Sequence, residues 1–330
     1  MAEKSPMRVL HIITVPISMT GLPLFALRVG AAVRGVRSDF LSYGQVDERA
    51  IAALGEGGQR VFTAPHRLRH PLRYARFVSR VIRDNGYDVV HCHGNSATMA
   101  LDLLAAKMGG AKVRIAHAHN TSTKAPLLHR LLNPLFQKLC TCRMACGEEA
   151  GRWLFGNRSF QVIPNGIVTE SFRYDAVRAG QMRRECGFMP EDCVIGWAGS
   201  FVEQKNLLFL LDCFQDSLAK MPALRLALIG DGPLREQLMA RVDELGIGER
   251  VGMPGARADM PRLLLGMDLM ALPSLYEGFP TVALEWQCSG LPCLLADTIT
   301  PDCVMVPFVK RLPLDRKVWS DAIRECLGFE

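Results

Sequence analysis

The chain has 330 residues, more than a single hydrophobic core usually contains, so we expect two domains. Its composition, 49% hydrophobic and 22% charged, is typical of a globular protein in water, and no run of eighteen apolar residues predicts a membrane-spanning helix. The first six residues do not resemble a signal peptide, which predicts a cytoplasmic protein. The net charge of +6 is unevenly divided: residues 1–170 carry 22 lysines and arginines against 11 acidic residues, and residues 171–330 carry 17 against 22.

The eleven cysteines are scattered along the chain, and without an export signal we expect them to be free thiols. Cys140, Cys142 and Cys146 form the only close group in the sequence. A structural zinc site usually has paired C-x2-C ligands and a fourth ligand, and neither accompanies these three residues. The sequence therefore predicts no metal site.

Short apolar runs alternate with helical patterns along the whole chain, which predicts parallel βαβ units and the α/β class. The strand-like runs are residues 9–13, 89–92, 113–117, 195–198, 225–229 and 269–272. A Pro-Asn-Gly turn at 164–166 ends the first block, and a new first strand follows at Cys193. We place the boundary near residue 172, which gives domains 1–172 and 173–330.

A row of arginines, which we call the arginine stripe, is predicted in the first domain. Its arginines recur at spacings of four, three, four and three residues and are Arg69, Arg73, Arg76, Arg80 and Arg83. This spacing is typical of one helix face, and residues 77, 78, 81 and 82 are apolar and fall on another face. The stripe is either a solvated helix face or a surface that attracts anionic lipid headgroups. Nucleic-acid binding is not expected, because no known motif and little aromatic interleaving accompany the arginines.

Four histidines lie at the ends of two predicted strands. His91 and His93 close the run 89–92, and His117 and His119 close the run 113–117. A histidine at a strand end is commonly a hydrogen-bonded structural residue, although its ordinary pKa also suits it to act on a ligand. Both interpretations stay open for this group.

The run from Pro273 to Glu285 is the most informative segment of the chain. It follows an apolar strand-like run at 267–272, and Gly278-Phe279-Pro280 places a flexible residue and a residue of fixed φ at a helix start. Main-chain amides at such a helix start can bind a phosphate or a sugar hydroxyl. The sequence therefore predicts an anion or sugar site here.

Two glutamates in this run, Glu277 and Glu285, are separated by a little over two helical turns. They are too far apart to share one proton, but they can bind two parts of one elongated ligand such as a nucleotide-sugar. The alternative is that both are solvated helix charges, as most glutamates are.

A nicotinamide-dependent dehydrogenase is the main alternative class of protein for a chain with a doubly wound fold. The first strand-like run is not followed by G-x-G-x-x-G, and the run Gly230-Asp231-Gly232-Pro233 lacks the third glycine. The sequence therefore disfavours a dinucleotide site.

The segment from Tyr276 to Pro292 resembles the signature of the retaining glycosyltransferases of family 4, which have the GT-B fold. Further motifs occur in the family's order and spacing over roughly residues 7–310. They are residues 8–13, 20–22, 87–93, 114–121, 162–167, 196–206, 228–234 and 253–260. The resemblance implies two Rossmann-like parallel-sheet domains that face an interdomain cleft. It assigns the acceptor to the N-terminal domain (1–172) and the nucleotide-sugar donor to the C-terminal domain (173–330).

The resemblance also implies roles for the residues of the donor site. Lys205 would stabilise the diphosphate leaving group, Glu277 would contact the sugar opposite that group, and Glu285 would accept hydrogen bonds from the ribose. The main chain at the helix start would reach sugar hydroxyls and phosphate, and the positions are Gly278, Phe279, Pro280 and Thr281. The nucleotide base would lie against Met253, Gly255 and Arg257. The alternative for Lys205 is an ordinary surface lysine.

In the N-terminal domain the resemblance implies that His119 is the active-site histidine and that Gly21 lets the first loop approach the phosphates. One departure is Ser200, where members of the family usually have an arginine that also binds the diphosphate. The leaving group would then be stabilised less, unless another base such as Arg257 substitutes.

We therefore predict a hexosyltransferase-type retaining enzyme that moves a sugar from a UDP-linked donor to a growing glycan of the capsule or exopolysaccharide type. No Asp-x-Asp pair is present to hold a divalent ion, so the predicted mechanism is metal-independent, and no cofactor is expected. The predicted acceptor is a growing glycan, with a lipid-linked glycan as the favoured form, and the arginine stripe would bring the protein to the inner face of the membrane. The alternatives are a catalytically weakened subunit that binds sugar nucleotides and a sugar-nucleotide epimerase of the same fold.

Overall fold

The computed structural model describes residues 6–18, 21–52, 54, 58–123, 125–257 and 259–328. The chain divides into two compact units, Met1–Asn165 and Gly166–Glu330. The division falls within the predicted turn at 164–166 and precedes the predicted boundary near residue 172. Each unit is built on a parallel sheet, which confirms the α/β class.

The first unit has a parallel sheet in the order β3-β2-β1-β4-β5-β6-β7. Its strands are β1 Met7–Ile13, β2 Val36–Tyr43, β3 Val61–Ala64, β4 Val89–Gly94, β5 Val113–Ala118, β6 Cys142–Ala145 and β7 Gln161–Val162. Its helices are α1 Gly21–Ala32, α2 Glu48–Ala52, α3 Pro71–Asn85, α4 Ala100–Gly109, α5 Pro126–Leu139 and α6 Glu148–Phe155. The middle of the sheet is the core, because β4 is buried along its whole length.

The second unit has a parallel sheet in the order β10-β9-β8-β11-β12-β13. Its strands are β8 Cys193–Ser200, β9 Leu224–Asp231, β10 Val251–Gly255, β11 Leu269–Leu272, β12 Cys293–Ala296 and β13 Val309–Leu312. Its helices are α7 Ala176–Glu185, α8 Leu207–Leu218, α9 Arg235–Glu244, α10 Met260–Leu263, α11 Thr281–Cys288 and α12 Arg316–Cys326. Here β11 and β12 are buried along their whole lengths.

Strand order in each sheet reverses at one position. In the first sheet the strands run from β1 to β3 on one side and from β4 to β7 on the other, so the switch point lies between β1 and β4. In the second sheet the switch point lies between β8 and β11. Open parallel sheets bind ligands beyond the carboxyl ends of the strands at this point, because the helices that follow the two strands lie on opposite faces and leave a crevice. The fold therefore places one candidate site in each unit.

The arginine stripe lies on and just before α3. All five arginines are exposed, but α3 begins at Pro71, so Arg69 precedes the helix and the predicted single helix face is wrong for that residue. The proline explains the boundary, since its fixed φ suits the first turn of a helix. Val78, Val81 and Ile82 are buried, as the apolar spacing predicts. In the described part of the chain we find no helix that is both long and apolar enough to cross a bilayer.

Asp102 of α4 forms a buried ion pair with Arg67, which lies just before α3, and accepts a hydrogen bond from Tyr74 of α3. Arg67 Nη2 lies 2.5 Å from Asp102 Oδ2, and the Tyr74 hydroxyl donates to Asp102 Oδ1 at 2.5 Å. Burial raises the pKa of Asp102 more than the Arg67 charge lowers it. The segment that leads into α3 is thus held to α4 by a charge pair that would be costly to break, because either partner left alone would be a buried charge.

Candidate functional site

Lys205 and Glu277 meet at the switch point of the second sheet. Lys205 ends a single 3₁₀ turn, Glu203–Lys205, that follows β8, and Glu277 lies in the loop between β11 and α11. Lys205 Nζ is 2.5 Å from Glu277 Oε1, and Glu277 is only 7% exposed. Burial contradicts the alternative that Glu277 is a solvated helix charge, and Lys205 is likewise no ordinary surface lysine. An ammonium has three hydrogens to donate, so Lys205 can hold Glu277 and still donate to a phosphate.

Gln204 orients this pair, a role that the sequence did not suggest. Its side-chain amide donates to Glu277 Oε2 at 3.2 Å and to the Tyr276 main-chain carbonyl at 2.8 Å. The main-chain carbonyl of Gln204 accepts from the Leu275 main-chain amide at 2.8 Å. The loops after β8 and β11 are therefore joined by both main chain and side chain. The position directly before Lys205 was the only sequence signal that could have pointed to this residue.

The next turn also constrains Lys205. Asn206 has φ +53°, the left-handed region that asparagine tolerates better than most residues. This conformation ends the 3₁₀ turn and starts α8 at Leu207. Asn206 therefore fixes the turn that separates Lys205 from α8.

The ends of β8 and β9 approach each other closely near Ser200. Gly199 pairs with Gly230, and a Cβ on Gly230 would lie 1.8 Å from the Gly199 carbonyl oxygen, so a side chain cannot be accommodated there. Ser200 pairs in turn with Asp231 and is partly buried. Arg235 Nη1 lies 4.0 Å from Asp231 Oδ1, so a cation is present near this edge although Ser200 itself is uncharged.

The predicted base-binding residues lie on and after β10. Met253 is partly buried and its carbonyl accepts from Arg235 Nη2 at 3.2 Å, and Gly255 has φ +84°, which favours glycine. Arg257 donates to both carboxylate oxygens of Asp259, at 2.8 and 2.7 Å. Two of the five N–H groups of its guanidinium are therefore bonded to Asp259, and the others can still donate.

The predicted helix start after Glu277 is present. α11 begins at Thr281, with Pro280 in the capping position at φ −72°, and Gly278, Phe279 and Pro280 are buried. Glu285 lies in the second turn and is partly buried. The structure thus brings the predicted donor-site residues to the carboxyl ends of β8, β10 and β11, while their individual contacts to a ligand stay predictions.

In the first unit, five histidines gather at the switch point. Strand register explains four of these positions: His11 of β1 pairs with His91 of β4, and His93 of β4 pairs with His117 of β5. Side chains two residues apart on a strand point to the same face, so the His91 and His93 rings stack with centroids 4.0 Å apart. His119 follows β5 directly, and its ring centroid is 4.2 Å from that of His117. We name these five residues the histidine cluster.

Hydrogen bonds join the rings of the histidine cluster in pairs. His11 Nδ1 lies 3.1 Å from His93 Nε2, His93 Nδ1 lies 3.1 Å from His119 Nε2, and His91 Nε2 lies 3.2 Å from His117 Nδ1. Burial lowers the pKa of His11 to about 4 and that of His119 to about 3. The rings are therefore neutral near pH 7. His11 was missed because it lies inside an apolar run, where nothing indicates which strand will pair with it.

Gly21 is the first residue of α1, and a Cβ at this position would have no described heavy atom within 4 Å. The backbone here is therefore open to a close approach, as the sequence predicts for a phosphate. Thr20, which belongs to the same predicted loop, lies outside the described residues. Phe25 of α1 packs edge-on against His119, with ring centroids 5.1 Å apart, which links this helix to the histidine cluster.

Two doubly wound parallel sheets, each with polar residues at its switch point, define the GT-B class of two-domain proteins. The profile "Glycosyltransferase Family 4" matches residues 24–171, and the profile "Glycosyl transferases group 1" matches residues 181–326. EpsF of Bacillus subtilis (strain 168), a protein named as a glycosyltransferase, is 33% identical over 307 residues, which are 87% of this chain and 79% of EpsF. The chain belongs to glycosyltransferase family 4.

Two further comparisons agree with this assignment. An Escherichia coli UDP-Gal:alpha-D-GlcNAc-diphosphoundecaprenol alpha-1,3-galactosyltransferase is 27% identical over 242 residues, 68% of this chain and 62% of that enzyme. The crystal structure of Anabaena Alr3699/HepE in complex with UDP-glucose matches with a TM-score of 0.82 at 20% identity, covering 97% of this chain and 90% of HepE. The second likeness confirms the GT-B fold.

Proposed function

We propose that this protein is a retaining hexosyltransferase that transfers a sugar from a UDP-linked donor to a growing glycan during exopolysaccharide synthesis. The observation that carries the proposal is the buried Lys205–Glu277 pair at the switch point of the second sheet. A compact ammonium at this place can neutralise the charge that develops on a diphosphate leaving group. The names of EpsF and of the E. coli galactosyltransferase support the reaction class.

The roles proposed for the donor-site residues are those that the resemblance to family 4 implies. Glu277 faces the sugar from the side opposite the leaving group, and the main chain at 278–281 contacts sugar hydroxyls and phosphate. Glu285 accepts from the ribose hydroxyls, and the base lies against Met253 and Gly255. Arg257 lies beside them, held by Asp259. Transfer proceeds without a divalent ion on the diphosphate, so adding Mg²⁺ to the EDTA-treated protein should leave the rate unchanged.

The proposed acceptor is a lipid-linked glycan. This proposal is supported by the E. coli relative, whose name specifies an undecaprenyl diphosphate acceptor, and by the exposed arginines of the first unit. His119 acts on the acceptor side, and Gly21 lets the loop before α1 approach the phosphates.

The test is a panel of UDP-sugars incubated with the full-length protein, with free UDP and the sugar nucleotide measured separately. A transferase should release UDP slowly by hydrolysis with one sugar, and faster when a suitable acceptor is added. A binding subunit would stabilise the fold against heat without releasing UDP. An epimerase would form an isomeric sugar nucleotide without releasing UDP. Either of these results would contradict the proposal.

We also propose that the arginine stripe docks the first unit on anionic membrane. Arg73, Arg76 and Arg80 are exposed and form no salt bridge with any residue that the structure describes. Helix α4 packs against both α3 and α5, and α5 exposes Leu127 and Leu131, at 81% and 73%. Basic and apolar side chains are thus exposed on helices of one layer, a combination that suits a lipid surface.

Replacing Arg73, Arg76 and Arg80 with glutamine should weaken binding to phosphatidylserine vesicles by about a hundredfold, since each basic residue contributes about 1 kcal/mol near such a surface. Co-sedimentation at increasing salt measures this, because screening weakens the attraction. The control replaces Arg173, Arg178 and Arg184, which are exposed on the second unit, and changes the net charge equally. Salt-insensitive binding, or equal loss in both variants, would contradict docking through the stripe.

A further inference from the structure

Three members of the histidine cluster meet in the arrangement of a metal-binding site. One ring nitrogen of each of His93, His117 and His119 lies within 4.8 Å of one nitrogen of each of the other two. We propose that these three side chains bind one divalent transition-metal ion of the Zn²⁺ type. Such a site goes beyond the proposed transferase function, and it shares His119 with the proposed acceptor side.

The hydrogen bonds of the cluster indicate which nitrogens face the ion. His93 Nε2 is bonded to His11 Nδ1, and His117 Nδ1 is bonded to His91 Nε2. The other nitrogens of these two rings, His93 Nδ1 and His117 Nε2, are then the ligands, and the ion would replace the hydrogen bond between His93 Nδ1 and His119 Nε2. A metal-ligating histidine commonly donates its other ring N–H to a neighbouring acceptor, which fixes its tautomer and orientation. His11 and His91 are therefore the orienting partners of two ligands.

Distances and burial fit the same assignment. His93 Nδ1 and His119 Nε2 are 3.1 Å apart, and two nitrogens bound to one tetrahedral Zn²⁺ at about 2.0–2.1 Å are about 3.3 Å apart. The third nitrogen, His117 Nε2, is buried and has no hydrogen-bond partner among the described residues. An unpaired buried nitrogen is costly, and an ion would satisfy it.

The chemistry of the cluster favours this class of ion. Imidazole nitrogen is a preferred ligand of zinc, copper and nickel, and the ligating form is the neutral ring. His93 and His117 are fully buried, whereas His119 is only partly buried and gives the ion an approach from solvent. Three histidines occupy three positions of a tetrahedral ion and leave the fourth for water.

Cobalt titration of the untagged, full-length protein, first treated with EDTA and then dialysed, tests this proposal. We expect about one equivalent of Co²⁺ to bind and give the visible absorption of a tetrahedral ion, and Zn²⁺ to displace it. His117→Gln should weaken Co²⁺ binding by at least about a hundredfold, and His91→Gln, which alters an orienting partner, by about 10–100-fold. The matched control is His70→Gln, because His70 is exposed and lies outside the cluster.

Three results would overturn the proposal: no stoichiometric binding, equal affinity of the His117→Gln and His70→Gln variants, or a near-ultraviolet thiolate-to-cobalt band that places the ion on cysteine. If His117→Gln does not fold, as circular dichroism would show, His119→Gln replaces it, since this partly exposed residue can change with less effect on packing. Wild-type Co²⁺ affinity in His119→Gln would also overturn the assignment. Each readout is independent of sugar transfer.

Discussion

Replacing Lys205 with alanine should lower the single-turnover rate of sugar transfer by about 10²–10³-fold and weaken UDP binding. This is the scale expected when one preorganised donor to a developing negative charge is removed. Lys205 is expected to carry an unusually large share of this stabilisation, because position 200 is a serine and not the arginine that the family usually has there. Calorimetric titration with UDP and rapid-quench transfer measure the two effects.

Loss of Lys205 also leaves Glu277 buried without its cation, so a stability effect must be separated from a chemical one. The double variant Lys205→Ala with Glu277→Gln removes the buried charge and should recover folding stability without recovering the rate. Lys310→Ala is the matched control, because Lys310 belongs to the same unit, forms an exposed ion pair with Glu325 and is not one of the proposed donor-site residues. Wild-type UDP affinity and rate in Lys205→Ala would show that the diphosphate is bound elsewhere.

The converse change, Ser200→Arg, should tighten UDP binding, since a guanidinium can bind phosphate through two hydrogen bonds.

Replacing His119 with alanine should lower turnover by at least about a hundredfold while UDP affinity changes little. The reason is that His119 belongs to the first unit, whereas all the proposed UDP contacts except that of Gly21 belong to the second. Its ring is neutral near pH 7, because burial lowers its pKa to about 3, and a neutral imidazole can both donate and accept a hydrogen bond.

Both measurements on His119 require EDTA, so that a change in metal binding does not alter the rate. His129→Ala is a useful control, because His129 belongs to the same unit, stacks on Trp153 and lies outside the histidine cluster. It should keep its rate. Loss of UDP binding in His119→Ala, with an unchanged melting temperature, would refute the assignment to the acceptor side.

The six strands predicted from apolar runs are β1, β4, β5, β8, β9 and β11, and all of them occupy the middle of their sheets. Central strands of a parallel sheet are covered by helices on both faces, so their sequences are continuously apolar and easily recognised. The strands without a prediction include the edge strands β3, β7, β10 and β13. Each is short and incompletely buried, and its sequence therefore carries little pattern.

The sequence by itself determined the α/β class, the two-domain organisation, the family and the residue types of the proposed donor site, because these depend on local apolar runs and short motifs. Only the tertiary structure decided which of those residues meet. Glu277 lies 72 residues from Lys205, and His11 lies 82 residues from His93, separations that no local pattern encodes. Strand order and register bring them together, and both are set by the packing of the whole sheet.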